Sequence, residues 1–402
     1  MTRASDLAKL LGAGGTLNAA LSVDTISEKT SGSGVTIDSL NIKDSGIGGH
    51  QIGGRRNILY NGNLQCWQRS TSTTGLGAAS GYFTADRWRV AINDASAGRF
   101  TMNRTAGDPD GFNYGLVINC TTADTSIAAG ELLIIQQKLE GQDLQQLKKG
   151  TSGAETITIS FYAKIVGSAT DFVVELEDLD NTRQISKIFT FTTDWVRYYW
   201  TVPGDTSGAL GQDTNASLSL NFWLHGGSTF TGGTLSTAWT STTNANRAAG
   251  IDSIFASTSN EFYLAGVQME LGSVATPFEH RSFGEELALC QRYYYQFQAA
   301  TSFMKIGHGR AYSTSNTTCT YTVPVPMRAS PTGGVSAASD VGVAGLSGGG
   351  TTGFTTNSER MDDLVRFAAN VTRSGADMSA GTIYQIEADN NTDMKLTLDA
   401  EL

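Results

Sequence analysis

The stretch Thr156–Val166 constrains this chain more than any other, because it alternates strictly. Ile157, Ile159, Phe161, Ala163 and Ile165 fall on one side, and Thr156, Thr158, Ser160, Tyr162 and Lys164 on the other. Only a strand, whose side chains point to opposite faces with a period of two, turns this pattern into one apolar and one polar face. The same rule recurs downstream. Phe172, Val174 and Leu176 oppose Glu175 and Glu177. Val196, Tyr198, Trp200 and Val202 oppose Trp195, Arg197, Tyr199 and Thr201 ahead of a Pro203-Gly204-Asp205 turn, and Leu218, Leu220, Phe222 and Leu224 oppose Ser219, Asn221 and Trp223. Half-buried strands at regular spacing, with polar turns and almost no helix, predict an all-β fold. Over residues 55–283 the expected architecture is a two-sheet sandwich of the jelly-roll kind.

A chain of 402 residues exceeds the roughly 250–300 that one core serves, so further units are expected around the sandwich. Ser282-Phe283-Gly284-Glu285 fits a capping box and predicts a helix reaching Gln296, read as a linking helix over 284–297. Residues 298–402 then read as a smaller β domain, with its clearest strand at Thr318–Val325 and a last one within Met394–Leu402. At the other end, Ser5 caps a short turn of helix that carries Leu7, Leu10 and Leu11 and stops at Gly12. Too few turns follow to repay nucleation, so this apolar stripe needs an external surface, a sister chain or a docking partner. Glycine, 46 in all, is densest in residues 1–54 and in Ser336–Thr356. Residues 1–54 therefore read as a glycine-rich anchor, with Leu7, Leu10 and Leu11 as attachment or trimerisation candidates.

Charge excludes one class of partner. With 28 basic against 38 acidic residues the formal charge is −10, which repels phosphate backbones. No apolar run is long enough to cross a bilayer as a helix, and MTRASDLAKLLGAGG lacks the apolar core of a secretory signal, so synthesis and assembly in a cytoplasm are expected.

Reactive chemistry is sparse. The four cysteines form no C-x-x-C pair and the four histidines no H-E-x-x-H, so no metal centre or cofactor is expected. Gly345-Leu346-Ser347-Gly348-Gly349 matches a nucleophile elbow in letters only, without the strand and helix such an elbow needs. Asp178, Asp180 and Asn181 form an acidic turn that lacks the spacing of a calcium loop. Glu175 and Glu177 share a strand face and read as its solvated side, so no catalytic residue is assigned. Aromatic rings on the polar faces are more telling. Trp223 beside Asn221, and Tyr199 beside Arg197, are candidate glycan contacts, because a flat ring meets the C–H face of a pyranose while amide and guanidinium groups bind hydroxyls.

Several segments carry a resemblance. Asn57-Ile58-Leu59-Tyr60-Asn61-Gly62-Asn63-Leu64 with Trp67-Gln68-Arg69, Tyr82 to Trp88, and AGVQMELGSVATPFEHRSFGEELALCQRYYYQF from Ala265 to Phe297 resemble a module of tail fibre and virion structural proteins of bacteriophages, especially marine ones. MTRASDLAKLLGAGGTLN and SEKTSGSGVTID are similar to the N-terminal part of the same proteins. The resemblance implies a homotrimer anchored to the particle by its N-terminus, bearing a jelly-roll module similar to carbohydrate-binding ones. It implies host adsorption through surface glycan without catalysis, with other virion proteins as partners and the virion as location. A capsid-mounted spike of the same fold and a glycan-depolymerising tailspike are the alternatives, and residues after Phe297 fall outside the resemblance.

Overall fold

The alternating segments pair as two antiparallel sheets that share one core. The computed structural model describes residues 55–402 apart from 94–96, 107–108, 347–349 and 358–363, with the backbone alone of 35–37, 40–43, 46–47, 50–51 and 356–357. The chain divides into two units, Met1–Gly54 and Arg55–Leu402. In the first, Val35–Ile37, Leu40–Lys43, Gly46–Ile47 and His50–Gln51 pair successively into a four-stranded sheet. Leu7, Leu10 and Leu11 lie outside the described residues.

In the second unit a six-stranded sheet runs, edge to edge, through Val196–Val202, Ile157–Val166, Glu261–Leu271, Tyr114–Thr122, Arg99–Ala106 and Ser72–Leu76. The facing sheet has seven strands, in the order Thr240–Ser241, Arg183–Thr190, Asp171–Asp178, Ala216–Gly226, Leu132–Glu140, Arg89–Asn93 and Gly81–Tyr82. Ile157, Ile159, Phe161, Ala163 and Ile165 from one sheet meet Phe172, Leu176, Leu220 and Phe222 from the other in a continuous core. Aromatic rings interlock across it, Phe161 standing edge-on to Phe222 with centroids 5.1 Å apart. The result is an all-β jelly-roll sandwich.

A bulge interrupts the six-stranded sheet. The register between Ile157–Val166 and Glu261–Leu271 shifts between Ser160 and Tyr162, where the second strand carries Gly266. Gly266 has a φ of +54°, and a Cβ there would lie 2.4 Å from the Phe112 ring. The bulge takes Val267 out of the ladder, and its N–H and C=O bind the segment 57–62 instead: the N–H donates to the Gly62 carbonyl at 2.8 Å and the carbonyl accepts from Asn57 Nδ2 at 3.0 Å. Asn57 Oδ1 accepts from Leu59 and Met269 N–H groups, at 3.1 and 3.0 Å. Asn57 is thus a hydrogen-bonded clamp on the base of the sandwich.

The linking helix is shorter than the sequence suggests. It spans Phe283–Gln291, with Ser282 Oγ accepting from Glu285 N–H as the capping box requires. Tyr294–Gln298 is a strand, paired with Lys395–Asp399. The run of Tyr293, Tyr294 and Tyr295 prefers the pleated, half-buried surface that this partner strand offers, which ends the helix early. The rest of the chain forms a six-stranded and a three-stranded sheet around a second core that includes Phe367, Val371 and Leu398. Three arginines, of which Arg87 is fully buried, fasten this domain to the sandwich. Arg87 pairs with Glu401 and stacks 3.5 Å from the Tyr293 centroid; Arg69 stacks 3.6 Å from that of Tyr294 and reaches Asp399 at 3.0 Å. Arg292 forks onto Glu140 at 2.8 and 2.7 Å.

Candidate functional site

The residues singled out from the sequence lie on opposite sheets. Asn221 and Trp223 belong to Ala216–Gly226 in the seven-stranded sheet, whereas Arg197 and Tyr199 belong to the edge strand Val196–Val202 of the other. The four therefore do not form one surface. Moreover, the polar face bearing Asn221 and Trp223 is roofed by a later segment, from which Phe230 and Ala248 pack onto Trp223. Trp223 is 0 % exposed and the Asn221 side chain is buried beside it, which corrects the expectation that they meet a ligand.

Under that roof the polar atoms satisfy one another. Trp223 Nε1 donates to Glu175 Oε2 at 2.8 Å, and Asn221 Nδ2 donates to Glu175 Oε2 and Glu177 Oε2 at 2.9 and 3.1 Å. Arg247 forks onto Glu175 through two bonds of 2.9 Å and also pairs with Glu177. The face carrying Glu175 is thus buried rather than solvated. Desolvation, and then the neighbouring Glu175 charge, raise the Glu177 carboxyl above its ordinary range. These carboxylates hold the roof in place.

The acidic turn is occupied in the same way. Lys149 Nζ sits among Asp178 Oδ2 at 2.5 Å, Asp205 Oδ2 at 3.0 Å and the Ser207 and Gly208 carbonyls at 2.8 and 3.0 Å. An ammonium therefore fills the oxygen cage that the turn helps to build. Asn181 Nδ2 donates to Asp178, and Asp180 Oδ2 accepts from the Gly211 N–H at 2.8 Å. Among the described residues no cluster of three or more His, Cys, Asp or Glu is placed to hold a metal ion. On the six-stranded sheet, Arg197 donates to Ser160 Oγ at 3.0 Å and to the Thr276 carbonyl, while Tyr199 is 63 % exposed. Of the four glycan candidates, only Tyr199 lies open to solvent.

An open cleft of about 640 Å³ lies elsewhere, between the helix Phe283–Gln291, the run Gln65–Gln68 and the strands Arg99–Ala106 and Tyr114–Thr122. Its size falls in the range of small-ligand sites. Three rings, Trp67, Tyr114 and Phe283, line it together with Leu287. Phe283, in the first turn of the capped helix, is 55 % exposed, a state a solvated phenyl ring adopts at a cost. Gln65, Asn113 and Gln291 add amides, and among the described residues none of these side chains makes a hydrogen bond. Gln68 is committed, donating to Asp86 Oδ2 at 2.9 Å and to the Tyr294 carbonyl at 2.8 Å. Arg104 lies with its guanidinium carbon 4.1 Å from the Tyr114 centroid. Among the described residues, no carboxylate or imidazole lines the cleft.

Side-chain clamps build this cleft. Asn61, at φ +53°, bridges the Cys66 N–H and carbonyl and the Asp86 carbonyl through its side-chain amide, which fixes the path of Gln65–Gln68. Glu286, buried on the helix, accepts from the Asn61 N–H and sets the opposite wall. Trp67 and Phe283 stand in the segments that resemble the phage module, so a signal for them existed. Arg104, Asn113 and Tyr114 come from an ordinary hairpin and carried none.

Comparison with known proteins adds little to this geometry. No protein-family model and no curated protein sequence matches the chain. Among solved structures, a family 4 carbohydrate-binding module is 13 % identical, covering 52 % of this chain and 97 % of its own, with a TM-score of 0.26. TmCBM61 in complex with β-1,4-galactotriose is 8 % identical over 54 % of this chain and 99 % of its own, with a TM-score of 0.28. The enzymatically active domain of tailspike protein 4 of bacteriophage CBA120 is 12 % identical over 54 % of this chain and 21 % of its own, with a TM-score of 0.26. At such scores the likeness carries no argument, and the fold rests on the chain's own strand order.

Proposed function

We propose that this chain is a glycan-binding, non-catalytic subunit of a bacteriophage virion, a tail fibre that adsorbs to host surface polysaccharide. The observation that carries the binding reading is the cleft: three rings and three amides line one space, and among the described residues those amides make no side-chain hydrogen bond and no carboxylate joins them. Rings hold the C–H faces of sugars and amides pair with hydroxyls, so retention needs no reacting group. The burial of Glu175 beneath Arg247 favours a binder over a depolymerase. The phage assignment is supported by the motif segments between Asn57 and Phe297, and the homotrimer, the N-terminal docking on other virion proteins and the virion location come with it. Three copies of a weak site on one rigid body raise retention through effective concentration.

The test is competition. Full-length protein added to host cells before the phage blocks adsorption, while a Trp67→Ala, Phe283→Ala double variant of equal folded content does not. Wild-type protein that leaves adsorption unchanged overturns the proposal.

A further inference from the structure

We infer that the cleft selects an acidic sugar, a pyranose bearing a carboxylate, and that Arg104 reads the charge. The inference rests on the glycan reading of the cleft and adds the class of sugar to it. Arg104 is the charged side chain of the lining, in a chain whose formal charge is −10. Several other arginines of the second unit are paired with acids: Arg87 with Glu401, Arg183 with Asp205, Arg247 with Glu175 and Glu177, Arg292 with Glu140. Arg104 differs from them. Among the described residues its guanidinium makes no hydrogen bond and no ion pair, and what orients it is the face of Tyr114, 4.1 Å away.

Stacking fixes the plane of a guanidinium while leaving its N–H fork free. A planar fork held in that way matches the two oxygens of a carboxylate, and the charge-assisted pair is stronger than any contact to a neutral hydroxyl. The remainder of the site suits the body of the same ligand. Trp67 and Phe283 offer faces to a pyranose, and Gln65, Asn113 and Gln291 offer donors and acceptors for its hydroxyls. The count of charges favours a carboxylate over a phosphate: one guanidinium balances one negative charge, whereas a phosphate monoester would carry a second with no partner in the lining. For a neutral sugar the arrangement is poor, since docking would take the Arg104 fork out of water without an anion to meet it.

The experiment measures retention of the full-length protein on immobilised oligosaccharides that contain glucuronate, on matched oligosaccharides with glucose in its place, and on a glucose 6-phosphate set. Wild type is expected to hold the glucuronate set about ten-fold more tightly than either other set, the size of one good charge-assisted contact. Arg104→Gln should abolish the preference, so that the variant holds the glucuronate and glucose sets equally. Arg104→Lys, which keeps the charge but loses the fork, should fall between. Thermal melts of both variants should match wild type, because this side chain is hydrogen-bonded to nothing among the described residues. Equal wild-type retention of glucuronate and glucose sets, a preference for the phosphate set, or a preference that survives Arg104→Gln overturns the inference while leaving the glycan reading standing. Retention of none of the sets, with Trp67→Ala indistinguishable from wild type, overturns the glycan reading itself.

Discussion

Trp223 Nε1 donates a 2.8 Å hydrogen bond to Glu175 Oε2, tying the ring of one central strand to the carboxylate of its neighbour beneath a closed roof. The pair is a structural joint. Trp223→Ala would empty a large buried volume and is expected to cost about 3–5 kcal/mol. Denaturant titration measures that loss, and glycan retention per folded molecule should stay at the wild-type level. A stable variant that fails to retain glycan would return Trp223 to the binding surface.

Phe283 gives the complementary result. At 55 % exposed it contributes little to the core, so Phe283→Ala should leave the melting temperature within about 1 °C of wild type. Glycan affinity should fall several-fold, because a lining ring is lost. Paired thermal melts and binding isotherms separate the two effects.

Asp86 sets a pH dependence. Its carboxyl is pushed up to about 7, first by burial, against the hydrogen bonds from Gln68 and the attraction of Arg69. A raised acid means that the folded chain holds this proton where the unfolded chain has released it. The contribution of Asp86 is therefore most favourable below the unfolded value near 4 and is lost as pH rises towards 7. Relative to Asp86→Asn, wild type should lose up to about 4 kcal/mol between pH 4 and 7 and change little above it. Melting curves of both proteins across that window check the sign.

Lys149 makes a metal superfluous at the acidic turn. A chelator should leave the melting temperature unchanged, because an ammonium already sits between Asp178 and Asp205. Lys149→Ala leaves the buried Asp178 without a cation, Asp205 keeping Arg183, and should cost about 3–5 kcal/mol. A melting temperature that drops with chelator in the wild-type protein would refute this.

The strands were legible because alternation is a local property: Ile157 to Ile165 needs no partner to declare its faces. What covers the outer face is not local. Asn221 and Trp223 look solvated beside Ser219, and only the return of Phe230 and Ala248 over that face buries them. The end of the helix was hidden for a similar reason, since Tyr294 takes its conformation from a strand a hundred residues later, at Lys395–Asp399. The cleft combines both cases. Trp67 and Phe283 stand in segments that the sequence marks, but Arg104 and Tyr114 acquire their meaning from each other's position across a hairpin.

Binding of the full-length protein to a glycan array, beside a Trp67→Ala, Phe283→Ala double variant compared per folded molecule, tests the central claim most directly. The account predicts retention of a defined subset of glycans by the wild type and loss of that subset by the variant. Equal retention by both proteins would contradict it.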